Sequence, residues 1–272
     1  MARATRASQR ATWNALWKRA LDSPVIGLDQ TSWKRIDDKS NKPWQMWCVT
    51  APKLVAHRIR SDKGAKTFEE LLAGFEGTIV CDAAQTHGAG ARALGGIVLA
   101  GCWAHVYRKY EAAVPDHPEA SFAMQWIGAL YEIDDAARDD RDALSELRRT
   151  KSRAVLDDLR TWLLAQPTLR STSIGNAIGY TLDNWDRLSV FVADPRVPLD
   201  NNATERAIRG PVVGRRNHFG SKTSLGTEVA SIFYSLIETA KLAGVDPATY
   251  LLEAARANAR GEVLLPGDLA TA

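Results

Sequence analysis

Two aspartates stand directly after short apolar runs, where a carboxylate could do chemistry. Asp29 follows Val25–Leu28, and Asp82 follows Thr78–Cys81. A carboxylate beside a buried strand costs free energy unless it is paired or binds a cation. Both runs are predicted to be strands of one sheet, so the two side chains could converge. The pattern therefore favours Asp29 and Asp82 as cation ligands.

A third carboxylate, Glu205, lies in the polar segment Asn201–Arg209. Its spacing from Asn202 is that of a capping box, in which Asn202 caps a helix and Glu205 stabilises the first turn. On the residues alone, this structural role is the favoured interpretation. A metal-binding role stays open, because a glutamate at a helix start can fill both roles.

A basic segment follows Glu205. Five cations and no acid lie between positions 206 and 222: Arg206, Arg209, Arg215, Arg216 and Lys222. Gly210, Pro211 and Gly214 are turn signals, so one interpretation is a solvated loop. Five positive charges beside a carboxylate cluster would also hold phosphates, and such binding weakens as salt rises. We favour DNA contact by these five residues.

Cys102 and His105 raise a second metal hypothesis, a zinc site. The Cys-x-x-His spacing supplies only half of the ligands that a structural zinc ion needs. Cys48, Cys81 and His87 could complete the site only if the fold brings them together. We do not favour zinc. Three cysteines in 272 residues form no disulfide framework and indicate a reducing, cytosolic setting.

The elements that position these residues follow from hydrophobic periodicity. Apolar runs predict five strands: 25–28, 44–50, 54–59, 78–81 and 97–100. The first three are separated by brief polar turns and predict an antiparallel meander. A helix is predicted over 67–75, with Thr67 as its N-cap.

The second half of the chain is predicted to be mostly helical. The pattern is helical from 107 to about 188, and 229–240 has the spacing of a strong amphipathic helix. Asp246-Pro247 begins another helix. Three histidines without a second ligand nearby in sequence are predicted to lie at the surface or the core edge: His57, His117 and His218.

Composition excludes several protein classes. With 45% hydrophobic and 25% charged residues, the chain is neither disordered nor collagen-like. Its longest uncharged stretch has 15 residues, fewer than the roughly 20 apolar residues of a membrane-spanning helix. The first 21 residues are basic and lack an apolar signal-peptide core, so no secretory signal is predicted. The net charge of +3 is too small to identify a partner.

The sequence resembles a known transposase family. The segments that carry the resemblance are Cys81-Asp82, Gly101–His105 with Arg108-Lys109, Asn201–Arg209 with its Asn-Asn-x-x-Glu-Arg pattern, and Gly214–Ser221. They are similar to transposases of the insertion sequence 66 family, and the resemblance extends from Val25 to the C-terminal helices.

This resemblance implies an RNase H-like α/β fold, a mixed sheet with flanking helices, whose acidic triad binds two divalent cations, Mg²⁺ or Mn²⁺. Matched position by position, the triad is Asp29, Asp82 and Glu205. His105, Arg108 and Lys109 would approach DNA. The implied divisions are a basic N-terminal helix at 1–24, core segments at 25–106 and 199–243, a helical insertion at 107–198, and a C-terminal helical tail at 244–272.

The implied function is that of a transposase catalytic core, which cuts DNA at the ends of a mobile element and joins the freed 3′ hydroxyls to target DNA. We expect a prokaryotic, cytoplasmic and nucleoid-associated enzyme that acts on double-stranded DNA as a homodimer or larger assembly, without a membrane. Relative to the family, the chain is expected to lack an N-terminal end-binding region. Two alternatives stay open: a truncated, non-catalytic DNA-binding remnant that regulates transposition, and an RNase H-like nuclease that cleaves RNA–DNA hybrids without joining.

Overall fold

The computed structural model describes residues 2–40, 42–82, 85–167 and 169–270. The strands are β1 (Val25–Trp33), β2 (Trp44–Ala51), β3 (Leu54–Arg60), β4 (Gly77–Val80) and β5 (Ile97–Ala100). The helices are α1 (Ala2–Leu21), α2 (Ala65–Leu71), α3 (Gln85–Leu94), α4 (Trp103–Ala113), α5 (Ala120–Ala136), α6 (Arg141–Leu147), α7 (Arg153–Ala165), α8 (Ser173–Asp183), α9 (Trp185–Ser189), α10 (Asn202–His218), α11 (Ser224–Leu242), α12 (Pro247–Ala259) and α13 (Pro266–Ala270). No helix among the described residues combines the length and the apolar composition that crossing a membrane would require.

The five strands form one mixed sheet in the order β3-β2-β1-β4-β5. Strands β1, β2 and β3 pair antiparallel, which confirms the predicted meander. Strands β4 and β5 run parallel, because the backbone N–H of Gly77 donates to Gly96 and that of Cys81 donates to Ala100. A mixed sheet with flanking helices is consistent with the RNase H-like α/β class that the family resemblance implies.

Two predicted elements have different bounds in the structure. Strand β1 continues to Trp33 instead of ending at Leu28, so Asp29 lies inside the strand. Helix α2 begins after Gly64, and Thr67, the predicted N-cap, lies within it. The Thr67 hydroxyl donates to Asp62 Oδ1 at 2.8 Å. It therefore holds the loop before the helix rather than capping the helix itself.

The described residues divide into two compact units. The first comprises the described parts of Met1–Ile79, Gln85–Ile97 and Asn202–Ala272, and the second those of Val80–Ala84 and Val98–Asn201. Asp29 and Glu205 belong to the first unit, whereas Asp82 belongs to the second.

In the first unit, helices cover both faces of the meander. On one face, the Trp47 ring lies 6.5 Å from the Phe68 ring of α2 and 6.0 Å from the His87 ring of α3. On the other face, Cys48 and Val55 pack against α10. Adjacent strand residues point to opposite faces, which is why Trp47 and Cys48 enter different layers.

Hydroxyl groups of helix α11 accept hydrogen bonds from the backbone N–H groups at the outer edge of β3. The backbone N–H groups of Val55, His57 and Ile59 donate to Thr239 Oγ1, Ser235 Oγ and Ser231 Oγ at 3.0, 2.8 and 3.1 Å. The three hydroxyls are spaced four residues apart, so they line one face of the helix. An edge strand that would otherwise present open N–H groups is thereby covered.

The second unit is built from helices α4 to α9 around a buried arginine. Arg148 is 2% exposed and lies in a π-helical segment between α6 and α7. Its guanidinium donates to the Asp134 carboxylate at 2.8 Å and to the Phe191 and Val197 carbonyls at 2.9 Å. A buried charge is stable only when paired in this way, so Arg148 ties α5 to the segment that follows α9.

Candidate active site

Asp29 stands at the centre of β1, on the face that α10 covers. Its cross-strand neighbour is Cys48, which packs against Ala207 and Ile208 of α10. Side chains of directly opposed strand residues point to the same face of a sheet. The half-buried Asp29 carboxylate therefore points to the layer that holds α10.

The Cys48 thiol beside Asp29 lies near two carboxylates. Burial and the nearby carboxylates of Asp29 and Glu238 raise the pKa of the Cys48 thiol. Cys48 is therefore a neutral thiol at physiological pH and adds no charge of its own. The backbone N–H of Gln30 donates to Asp29 Oδ1 at 2.7 Å.

Glu205 lies half-buried in the first turn of α10. The helix begins at Asn202, so Glu205 occupies the place that the capping-box pattern predicts. The preceding residue, Thr204, is fixed by a 2.6 Å hydrogen bond between its hydroxyl and that of Thr50 on β2. The first turn of α10 is thus attached to the meander.

A second attachment shows that α10 runs along β1. The Arg215 guanidinium donates to Thr31 Oγ1 at 2.9 Å. Thr50, the partner of Thr204, is opposed to Gly27. Since Gly27 and Thr31 flank Asp29 on the same face of β1, Asp29 lies between the two attachment points of the helix. The structure therefore brings Asp29 and the Glu205 helix into one interface of the first unit.

Asp82 lies in the second unit, shortly after the end of β4. It is half-buried, and it follows Cys81, whose backbone N–H donates to the Ala100 carbonyl at 3.1 Å. Ala83 and Ala84 lie outside the described residues. The assignment of Asp82 as a metal ligand stays a prediction from the sequence.

The basic segment is mostly helix, so the solvated-loop interpretation is wrong. Gly210, Pro211 and Gly214 lie inside α10. A proline ring removes one helical hydrogen bond, but the Pro211 side chain is buried and the helix continues through it. Helical spacing then places three exposed cations on one face. We call these residues the arginine face: Arg206, Arg209 and Arg216.

Arg215 differs from the other cations of the segment. It is partly buried and contacts the Ser32 carbonyl as well as the Thr31 hydroxyl. Its charge therefore stabilises the end of β1, a role that sequence analysis missed. The signal was available, because position 215 follows buried Thr204 and Ile208 at helical spacing.

Cys102 and Trp103 hold the segment that precedes α10. Cys102 Sγ accepts the backbone N–H of Asn201 at 3.3 Å, and the Leu199 carbonyl accepts that of Trp103 at 2.9 Å. The Trp103 indole donates to the Leu188 carbonyl at 2.9 Å. Burial raises the pKa of the Cys102 thiol. These contacts give Cys102 and Trp103 a structural role in the second unit.

The remaining candidates for DNA contact, His105, Arg108 and Lys109, lie on α4 in the second unit. Arg108 is exposed and His105 is half-buried. The Lys109 Nζ atom lies 4.6 Å from the centre of the Tyr180 ring, a cation–π contact. Lys109 is therefore engaged with its own unit, and Arg108 is the more accessible of the two cations.

The prediction that His57 lies at the surface or the core edge is wrong. His57 is fully buried, and burial lowers its pKa to about 3. Within the described part of the chain, neither ring nitrogen of His57 has a hydrogen-bond partner. His117 and His218 lie at or near the surface, as predicted.

Comparison with known proteins identifies relatives over most of the chain. The family model described as "Transposase IS66 family" matches residues 1–229. Two proteins of Sinorhizobium fredii (strain NBRC 101917 / NGR234), named uncharacterized protein y4qI and uncharacterized protein y4jD, are 32% and 29% identical. The alignments cover 90% and 85% of this chain, and 48% and 49% of those proteins. The chain thus spans about half the length of the curated relatives it matches. The match of the family model over residues 1–229 shows that the chain belongs to the IS66 family of transposases.

Proposed function

We propose that the chain is a transposase catalytic core that cuts DNA at the ends of a mobile element and joins the freed 3′ hydroxyls to target DNA. Asp29, Asp82 and Glu205 bind two divalent cations, Mg²⁺ or Mn²⁺. The family relationship supports the transposase role. The assignment of the three carboxylates extends that relationship to single residues.

One structural observation carries the proposal. Helix α10, which carries Glu205 in its first turn, lies along the face of β1 on which Asp29 stands, and it is attached on both sides of Asp29. Asp29 and the helix that carries Glu205 are far apart in sequence, and they meet in one interface of the first unit. A capping role would account for Glu205 alone, whereas a metal site would account for Glu205 and for Asp29 on the facing strand.

The donor set fits hard divalent cations. Carboxylate oxygens are the ligands that Mg²⁺ and Mn²⁺ prefer. When bound, such ions activate the attacking oxygen and stabilise the leaving oxygen of a phosphodiester. The chain's own part is to hold the carboxylates at fixed positions, which the two attachments of α10 do for Glu205.

The arginine face supplies phosphate binding on the same helix. All three arginines of this face are exposed, and the first of them, Arg206, directly follows Glu205. Phosphate contacts fix the position of DNA without reading its sequence. Lys222 of the first unit and, separately, His105, Arg108 and Lys109 of the second unit are further candidates for DNA contact. The partner is double-stranded DNA in the nucleoid of a prokaryotic cytoplasm, and a homodimer or larger assembly holds the two ends of the element.

The proposal is tested on a supercoiled plasmid that carries the DNA flanking the gene on both sides. With Mg²⁺, the native chain should cut this DNA and produce joined strands. Asp29→Asn, Asp82→Asn and Glu205→Gln should each reduce the rate by about 100-fold or more. Glu253→Gln, which removes only an exposed pairing with Arg256, should act as the native chain does.

The other outcomes separate the alternatives. A native chain that binds DNA but never cuts it would support the non-catalytic remnant. Cleavage restricted to RNA–DNA hybrids, without a joined product, would support the RNase H-like nuclease. Full activity of Glu205→Gln would contradict the proposed triad directly.

A further inference from the structure

The turn between α10 and α11, residues 219–223, presents an aromatic side chain to solvent. Phe219 is 68% exposed and has a backbone φ of +60°. Left-handed backbone is uncommon for residues other than glycine and is strained for a bulky side chain. Strain of this kind persists only where the surrounding structure enforces it, and it is concentrated at functional sites. The position of the exposed ring is therefore imposed by its neighbours.

The residues on either side of Phe219 are fixed by specific contacts. The His218 ring forms two hydrogen bonds: Nδ1 with the Gly220 carbonyl at 3.0 Å, and Nε2 with the Tyr234 hydroxyl at 3.2 Å. Gly220 itself has a φ of +92°, and a Cβ atom there would collide with the Lys34 carbonyl. The chain can make this turn only with glycine at position 220, and the turn leaves the Phe219 ring outside.

The far side of the turn is attached to the end of β1. The Ser221 backbone N–H donates to the Lys34 carbonyl, and that of Ile36 donates to the Ser221 carbonyl, both at 2.9 Å. The Trp33 indole donates to Ser221 Oγ at 3.0 Å. Phe219 is therefore held on a fixed base and is not the tip of a loose loop.

The surroundings of Phe219 are positively charged. Lys34, Arg216 and Lys222 are exposed. Two neighbouring carboxylates have partners of their own: Asp37 pairs with Arg35 at 2.6 Å, and Asp38 accepts a hydrogen bond from the Trp44 indole at 2.5 Å. An exposed ring inside a basic rim matches the two components of a nucleotide, an aromatic base and its phosphates. A second copy of this chain would instead bring the same cations against each other.

We propose that Phe219 stacks on an unpaired or unstacked base of the bound DNA, while Lys34, Arg216 and Lys222 contact the flanking phosphates. This inference rests on the proposed function, in which the chain acts on DNA. Every base has an aromatic face, so stacking on Phe219 favours distorted or single-stranded DNA without selecting a sequence. An apolar side chain held in this way can also separate neighbouring base pairs. The turn thus supplies a contact to the base, which the arginine face does not.

The test compares two DNA probes by fluorescence anisotropy, with Ca²⁺ in place of Mg²⁺. One is a fully paired duplex of about 30 base pairs, and the other is the same duplex with a short unpaired bulge. Phe219→Ala should lose about tenfold in affinity for the bulged duplex and less than about twofold for the paired duplex. Phe219→Trp should keep the preference for the bulge. Leu252→Ala, which truncates another exposed apolar residue of the first unit, should behave as the native chain does.

Three results would overturn the inference. The Phe219→Ala variant could retain the full preference for the bulged duplex, or it could lose affinity for both duplexes equally. It could also abolish self-association while leaving the preference unchanged, which would assign Phe219 to an interface between copies. In these cases the native chain still binds and cuts DNA, so the proposed function survives. A native chain that binds neither probe would contradict both the stacking of Phe219 and the proposed function.

Discussion

At the scale of single residues, two neighbouring arginines of α10 have different tasks. Arg215 turns inward to the Thr31 hydroxyl and the Ser32 carbonyl, whereas Arg216 is exposed. A donor that satisfies buried or half-buried oxygens contributes to stability, and an exposed cation contributes to binding of an anion. The same residue type at adjacent positions therefore divides the basic segment into a structural part and an exposed part, and we propose that the exposed part contacts DNA.

Truncating the two arginines should separate these roles. Arg215→Ala should lower the free energy of unfolding by about 1–2 kcal/mol, because Thr31 and Ser32 lose their donor. Arg216→Ala should change it by less than about 0.5 kcal/mol. Urea denaturation measures both variants. Equal losses in the two variants would show that Arg215 is not the attachment described above.

His57 should make the protein sensitive to acid. In the unfolded chain its pKa is about 6.5, whereas burial lowers the folded value to about 3. Between these values the unfolded state binds more protons, so the free energy of unfolding falls as the pH falls from about 6.5 towards 3.

The variant His57→Phe removes this titration and keeps the backbone N–H that donates to Ser235. Between about pH 6.5 and 4.5 the native chain should lose roughly 1 kcal/mol per pH unit more than the variant does. Denaturant midpoints measured across this range provide the comparison. Parallel curves for the two proteins would mean that His57 is not held neutral.

At the scale of the elements, the position of α10 depends on its close approach to α11. A Cβ atom at Gly214 would collide with the Tyr234 hydroxyl, and one at Gly210 would lie 3.2 Å from Glu238 Oε1. The missing side chains let the two helices meet at this distance. Since α10 carries Glu205 and the arginine face, this contact positions both.

Gly214→Ala should therefore lower the free energy of unfolding by about 1–3 kcal/mol. In a Tyr234→Phe background, which lacks the hydroxyl, the loss should be smaller by about 1 kcal/mol. Gly128→Ala is the matched control, because a Cβ atom there meets nothing within 4 Å and alanine favours a helix. Identical losses in the native and Tyr234→Phe backgrounds would exclude the hydroxyl as the cause.

The meander and the amphipathic helix α11 were predictable from local patterns, but the length of β1 was not. Residues 29–32 are polar and resemble a loop in sequence, because nothing local shows that Arg215 satisfies Thr31 and Ser32. Arg215 and Thr31 are 184 positions apart, so only the folded chain reveals the pairing. The same holds for Gly210 and Pro211, which are turn signals locally and helix residues in the structure.

The candidate site was predictable to a similar extent. The position of Asp29 after an apolar run indicates a cation ligand, whereas the capping-box spacing of Glu205 predicts a structural role, and only the family resemblance adds metal binding by Glu205. Sequence could not show that α10 lies along β1, because that depends on the hydrogen bond between Thr50 and Thr204 and on the packing of Ile208. Long-range contacts of this kind leave no periodic pattern.

At the scale of the whole molecule, the distribution of charge matters more than its sum. The net charge is only +3, yet the segment from 206 to 222 holds five cations and no acid. Three of them form the arginine face on one helix. A protein with this distribution can bind DNA through local phosphate neutralisation, although its overall charge is small.

Binding to paired DNA should therefore depend on salt in proportion to these contacts. Replacing Arg206, Arg209 and Arg216 with alanine should reduce the slope of log affinity against log salt by about 3, since each phosphate contact contributes about 0.9. Replacing the exposed Arg256 of α12 is the control and should leave the slope unchanged. An unaltered slope in the triple variant would assign DNA contact to another surface.

The central claim is that Asp29, Asp82 and Glu205 hold divalent cations, and a Mn²⁺ titration followed by electron paramagnetic resonance tests it most directly. The native chain should bind about two ions. Asp29→Asn and Glu205→Gln should each lose an ion or weaken its binding by about tenfold or more, while Glu253→Gln should bind as the native chain does. Native binding of Mn²⁺ that neither variant changes would contradict the account.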